Sequence, residues 1–233
     1  MALATDRHRR EEVFHDDWAA NMDTSLIDVI KRNESVTAPE MRYITERLGP
    51  LGGKKLVDLG CGLGEAGVYF AIKGADVTSV DISDGMLSST HKLAERYNVR
   101  IRTVKSSIDE LSVEGRFDIA YAGNLFHHVD IESTIRRFAE ILNDDGLLVS
   151  WDPVAYNPLV NIYRLVAKRV RTSDEHPLTV RDVKLFKKYF SDVEVRYFWF
   201  STLLVFVFMV LVQLRDPNKE RFWKVVVDEG DRW

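Results

Sequence analysis

The sequence predicts an α/β fold wound on both faces of a mostly parallel sheet, and three observations carry that prediction. From Lys55 onward, short apolar runs alternate with segments of helical length. The first run ends in a glycine-rich turn, Gly60-Cys61-Gly62-Leu63-Gly64, and the second ends in an acid, Asp81. A chain of 233 residues, 45% of them hydrophobic, fills one domain, and no repeat period or Ser/Gly-rich linker argues for a second.

The elements follow in order. Residues 1–50 read as helices with no strand: Val13, Phe14 and Trp18 come first, then Leu26, Ile27, Val29 and Ile30 near helical spacing. Pro39 can open a further helix through Met41, Tyr43, Ile44 and Leu48, which Gly49-Pro50 stops. This stretch is expected to form a lid. Strands are expected at 55–59, 77–80, 100–104, 118–121 and 147–151, with helices at 65–73, 84–97 and 131–142 between them. The last helix is expected to close at Asn143-Asp144-Asp145-Gly146, with the glycine as a left-handed cap. Beyond Trp151, an apolar and basic helix is expected at 159–170, another from Thr179, and a strand at 193–199.

Residues 198–214 carry no charge at all. A membrane-spanning helix needs about 20 such residues, so the run reads first as a strand followed by a buried helix. The second reading is a monotopic apolar surface beside the basic residues Arg181, Lys184, Lys187 and Lys188. A net charge of -4 leaves no basic surplus for neutralising phosphates, which speaks against nucleic acid as a partner. The single cysteine, Cys61, cannot form an internal disulfide, and no charged-then-apolar leader opens the chain. A cytoplasmic setting is expected. No feature specifies an oligomeric state.

The turn after the first strand has the spacing G-x-G-x-G, and a turn free of side chains lets a ligand lie directly over the backbone. Asp81, roughly 20 residues on, stands where an acid accepts hydrogen bonds from ribose hydroxyls. Dinucleotide sites use G-x-G-x-x-G with a helix terminus aimed at a pyrophosphate; the shorter spacing favours a ligand without phosphates. A nicotinamide-dependent oxidoreductase is the alternative that shares the loop and the acid.

Val57-Asp58-Leu59-Gly60-Cys61-Gly62-Leu63-Gly64 and Val80-Asp81-Ile82-Ser83-Asp84-Gly85-Met86-Leu87 resemble the first two motifs of the class I S-adenosylmethionine-dependent methyltransferases. The resemblance runs from about Lys54 to Trp151. It implies a Rossmann-like sheet of seven strands and S-adenosylmethionine as cofactor. It divides the single domain into a helical lid (1–50), a cofactor-binding core (51–152), and an acceptor-side insert with the end of the sheet (153–233). By the same resemblance, Asp58, Gly60, Cys61, Gly62 and Gly64 belong to the cofactor loop, whose backbone holds the methionine part. Asp81 meets the ribose, Ile82 and Met86 the adenine faces, Ser107 and Ile108 the adenine edge, and Asn124 and Leu125 the methionine side. Asp109 reads equally well as a helix cap.

Methyl transfer from a sulfonium needs alignment of donor and acceptor and exclusion of water, and no metal. A proton must leave an oxygen, nitrogen or thiol acceptor, so a base near the methyl group is sought. The candidates are His128 first, then His127, His15 and Asp152, with His176 further along. His127-His128 is similar to the His-His pair of small-molecule methyltransferases of the menaquinone-biosynthesis type. Each also reads as a structural hydrogen-bonder. No C-x-x-C or H-E-x-x-H spacing occurs, so no metal is expected.

The acceptor is expected to be a small molecule between the lid and the insert, walled by Phe14, Trp18, Tyr156 and Tyr163, and the run 198–214 favours a hydrophobic or lipid-like one with peripheral membrane contact. A non-catalytic S-adenosylmethionine-binding protein remains the second class. Glu12-Val13-Phe14-His15-Asp16-Asp17-Trp18-Ala19 and Trp151-Asp152-Pro153 resemble an uncharacterised bacterial subgroup whose members continue past residue 233.

Overall fold

The computed structural model describes residues 2–155 and 177–198. Among them the order is α1 (Ala2–Ala20), α2 (Val29–Glu34), α3 (Pro39–Leu48), β1 (Lys55–Leu59), α4 (Glu65–Ile72), β2 (Asp76–Asp81), α5 (Asp84–Arg96), β3 (Ile101–Lys105), β4 (Phe117–Gly123), α6 (Ile131–Ile141), β5 (Leu142–Trp151) and α7 (Val180–Tyr189). The five strands form one sheet in the order β3-β2-β1-β4-β5, and every neighbouring pair is parallel. The direction of winding therefore reverses between β1 and β4. In open parallel sheets the crevice at that reversal, outside the carboxyl ends of the strands, is where ligands bind.

Strand alternation builds two apolar layers. Leu56, Val77, Ile119 and Tyr121 face one cluster, where they meet Val68 and Phe70 of α4 and Met86 and Leu93 of α5. Val57, Leu59, Val80 and Ala120 face the other, where Ile135 and Phe138 of α6 close the core and Leu185 and Phe186 of α7 pack beside them. Local chemistry starts the helices. Ser83 accepts from the Met86 N–H at the head of α5, Asp130 accepts from the Ser133 N–H at the head of α6, and Thr179 and Asp182 form a capping box on α7.

The amino-terminal stretch divides into two parts. Ile27, Val29, Met41 and Ile44 are buried in the first cluster, so α2 and α3 are part of the packed layer beside α4. Only α1 lies across the carboxyl end of the sheet, on the head of α5.

Two expectations are corrected. Asn143 to Gly146 do not cap a helix: β5 begins at Leu142, immediately after α6, and Gly146 has no positive φ. Leu142 pairs with Phe117 and Leu147 with Ile119, so a bulge in β5 absorbs the intervening residues. Residues 193–198 form no strand. Glu194 is held by the Tyr43 hydroxyl and by Arg47, and Arg196 lies over the Tyr43 ring, so side chains tie this segment to α3 in place of a ladder. The expected helix at 159–170, the candidates His176, Tyr156 and Tyr163, and residues 199–214 of the uncharged run lie outside the described residues. Among the described residues, no helix is long and apolar enough to cross a membrane.

Candidate functional site

The glycine loop leaves β1 at the point of reversal and turns back over β2. The N–H groups of Gly60 and Cys61 both donate to the Val80 carbonyl, at 2.8 and 3.0 Å, which pins the loop to the end of β2. Gly60, Gly62 and Gly64 all take positive φ, the region that a side chain disfavours. At Gly64 a methyl group would lie 2.8 Å from the Thr90 Cα, so α5 comes directly against the loop. At Gly62 the same methyl would meet nothing within 4 Å, so this part of the backbone faces open space.

Asp81 ends β2 beneath that open backbone. One carboxylate oxygen accepts from the Gly62 N–H at 2.9 Å and the other from the Ser83 N–H at 3.0 Å. A carboxylate accepts about four hydrogen bonds, so acceptor capacity remains beyond these N–H groups. Burial raises the acid's pKa, while the Ser83 and Gly62 N–H groups and the nearby His15 pull it back down. Ile82 is half-buried, Met86 is buried on α5, and Ile108 is buried at the end of β3. The Ser107 hydroxyl accepts from the Glu110 N–H in a turn with no helix after it, so Asp109 caps nothing. Its carboxylate instead takes His8 at 2.8 Å and Arg7 at 3.5 Å from α1.

Asp58 lies under the loop on the α4 side. Its carboxyl is wholly buried against Gly67, whose N–H donates to it, and burial followed by the charge of Asp81 pushes its pKa up to about 7. The buried thiol of Cys61 sits 3.6 Å from the Thr90 hydroxyl; burial, then Asp81 and Asp58, raise its pKa well above the ordinary value. A thiol held neutral in this way is a poor nucleophile.

Across the crevice, the loop after β4 carries Asn124 at φ +55, with its N–H donating to the Trp151 carbonyl, and Leu125, whose side chain packs against Gly60. The 3₁₀ turn Phe126–His128 follows. His127 Nδ1 lies 2.8 Å from Asp152 Oδ1 at the end of β5, and the same oxygen accepts from the His127 backbone N–H at 3.2 Å. Burial raises the Asp152 pKa, and the hydrogen bond and charge of His127 oppose that shift. The His127 and His128 rings are 4.1 Å apart, and His15 on α1 meets His128 edge-on at 6.5 Å. The four candidate acid-base residues that are described, His128, His127, His15 and Asp152, therefore gather in one cluster.

Three contributors were missed by sequence reasoning: Asp16, which accepts from the Ser83 hydroxyl and the Gly85 N–H; Thr90, against which Gly64 packs; and the His8–Asp109 pair. The only local trace of any of them is Gly85, a glycine in the first turn of a helix, where a methyl would come within 3.0 Å of the Ala19 Cβ.

Residues 56–146 match the family model of the methyltransferase domain. This segment is a class I S-adenosylmethionine-dependent methyltransferase domain. A ubiquinone biosynthesis O-methyltransferase of Acinetobacter baumannii is 29% identical over 129 residues, covering 54% of this chain and 54% of the relative. The methyltransferase YbaJ of Bacillus subtilis is 30% identical over 156 residues, covering 63% of this chain and 58% of the relative. The chain thus spans about half the length of the curated relatives it matches. Among solved structures, the magnesium protoporphyrin IX methyltransferase of Synechocystis with bound S-adenosylhomocysteine superposes with a TM-score of 0.53 at 16% identity, over 80% of this chain and 83% of that one, a likeness of fold.

The methyltransferase cofactor is S-adenosylmethionine, and the residues present fit it. The open backbone at Gly62 admits a ligand without phosphates, and the acceptor capacity left on Asp81 suits a ribose diol. The match to the methyltransferase domain model speaks against the nicotinamide alternative, which shares this geometry.

Proposed function

We propose that the chain transfers the methyl group of S-adenosylmethionine to a small hydrophobic or lipid-like acceptor, at a hydroxyl that gives its proton to His128. The observation that carries this reading is the meeting, at one end of one sheet, of the glycine loop and Asp81 with the Asp152–His127–His128 group. In this reading the Gly60 to Gly64 backbone holds the methionine part of the cofactor and Asp81 its ribose. Ile82, Met86, Ser107 and Ile108 enclose the adenine, and Asn124 and Leu125 line the methionine side.

When bound there, S-adenosylmethionine would supply an electrophilic methyl carbon on its sulfonium, to which the acceptor oxygen would bond as the carbon–sulfur bond breaks and S-adenosylhomocysteine leaves. The chain's own part is to hold the hydroxyl and receive its proton. Asp152 fixes the His127 ring through Nδ1, and His127 is nearly wholly buried, which suits a supporting role. His128 is half-buried and lies on the α1 side of that pair, within reach of a ligand in the crevice. The α1 helix across the mouth excludes water, which strengthens every polar interaction inside.

Oxygen as the accepting atom draws support from the relative named for ubiquinone O-methylation. A hydrophobic acceptor, and peripheral contact with a membrane from a cytoplasmic position, draw support from the uncharged run 198–214 and from Arg181, Lys184, Lys187 and Lys188, exposed on α7.

Calorimetry with S-adenosylmethionine, S-adenosylhomocysteine and NADH tests the cofactor reading: the first two are expected to bind, and binding of NADH alone would overturn it. Screening phenols, quinols and lipids for S-adenosylhomocysteine release, with and without anionic vesicles, then identifies the acceptor. His128→Gln is expected to cut that release by about 100-fold or more. An unchanged rate and pH profile would remove His128 as the base.

A further inference from the structure

The α1 helix is attached unlike the other described helices of the amino-terminal half. Among its described side chains only Ala19 is buried in the core, and Val13 and Trp18 are exposed. Its attachments are polar. Asp16 accepts from the Ser83 hydroxyl and from the Gly85 N–H at 3.0 Å, Glu12 meets Lys105 at 2.7 Å, and His8 and Arg7 meet Asp109. Surface ion pairs are each worth only about 0–1 kcal/mol, so a helix held mainly by them can lift as a unit. Gly85 leaves the space in which Ala19 and Asp16 dock.

What α1 brings to the crevice is His15. Its ring lies 6.5 Å from that of His128 and close enough to Asp81 for its charge to act on the acid. We propose that His15 is a positioning residue carried on a closing helix: α1 docks through Asp16 and Ala19 on the Ser83–Gly85 corner of α5 and thereby sets the His15 ring against His128. The acid-base group is then complete only with α1 down, so the proton acceptor is assembled by the same movement that covers the cofactor. The proposal rests on the reading of His128 as the base. The charged and titratable groups around the two rings come from four elements: Asp16 on α1, Asp81 at the end of β2, His127 on the loop after β4, and Asp152, bonded to His127, at the end of β5.

The test needs no acceptor. In the full chain with labelled histidines, the His128 ring is titrated by NMR, its signal assigned by its loss in His128→Gln, while trypsin cleavage after the exposed Arg9 and Arg10 reports whether α1 is docked. Two imidazolium charges 6.5 Å apart disfavour one another, so His15→Gln is expected to raise the His128 midpoint by about half a unit to two units. Gly85→Val blocks docking and is expected to produce the same upward shift together with rapid cleavage; Gly85→Ala, whose methyl would already lie 3.0 Å from the Ala19 Cβ, serves in its place if the valine variant fails to fold. Cleavage in the docking variants with the His128 midpoint at its wild-type value would overturn the proposal, as would His15→Gln leaving that midpoint in place. Calorimetry of the wild type with S-adenosylhomocysteine separates the two readings: absence of binding would sink the cofactor assignment and leave the α1 result standing.

Discussion

Asp58→Asn should make the protein more stable, and increasingly so as pH rises. The carboxyl is wholly buried, its Oδ2 has no hydrogen-bond partner among the described residues, and Asp81 adds a second negative charge nearby. Burial and that neighbour lift its pKa from 3.8 to about 7. A group that holds its proton more tightly when folded than when unfolded favours the folded state below the lower value. The advantage is lost as pH climbs to the higher one. About three pH units of difference, at 1.36 kcal/mol each, amount to about 4 kcal/mol.

Asparagine has nearly the same shape, keeps a carbonyl oxygen for the Gly67 N–H, and does not ionise. The assay is urea unfolding of both proteins from pH 4 to pH 8, read as the difference between their stabilities. Titrations remote from Asp58 cancel in that difference, and what does not cancel is the titration of Asp58 together with that of Asp81, which feels its charge. It should grow in favour of the variant by about 1.4 kcal/mol per unit from pH 4 and level off above pH 7. Parallel stability curves across this range would show that Asp58 is not a buried acid held near neutrality, and the account of the loop's underside would fail with it.

Three further outcomes follow from the same geometry. Gly64→Ala places a methyl 2.8 Å from the Thr90 Cα at φ +86, so thermal unfolding should report a loss of about 2 kcal/mol or more, and a neutral result would deny the close approach of α5 to the loop. Asp81→Asn removes the acceptor proposed for the ribose; S-adenosylhomocysteine affinity measured by calorimetry should fall by about 10- to 100-fold, and unchanged affinity would take Asp81 out of the site. Asp152→Asn, which leaves His127 without its carboxylate, should lower the rate of S-adenosylhomocysteine release by about 100-fold once an acceptor is in hand, and should alter the pH profile as well; a change in KM alone would count against the supporting role of the Asp152–His127 pair.

Which parts of this site could be read in the sequence depends on whether a position's role falls on the backbone or on a side chain. The loop from Gly60 to Gly64 must take positive φ at three positions and lie against Thr90, and only glycine meets that demand cheaply, so the requirement is written in the residue types themselves. Asp81 is legible for a related reason: an acid at the end of a strand that follows such a loop has few other uses. The Asp152–His127 contact joins the ends of β5 and β4, and its sequence separation reflects only the length of α6 and of a bulged strand. Any polar pair at those two strand ends would look the same on paper.

The amino-terminal helices illustrate the same limit. Ile27, Val29, Met41 and Ile44 recur at helical spacing whether they line a lid or a core, and here they are core, while α1 alone spans the crevice. Reach between side chains is a tertiary quantity, visible in a sequence only where it forbids something. At Gly85 it forbids a side chain, because Ala19 and Asp16 occupy the space. That glycine is therefore the one position outside the cofactor loop whose residue type already records where α1 must dock.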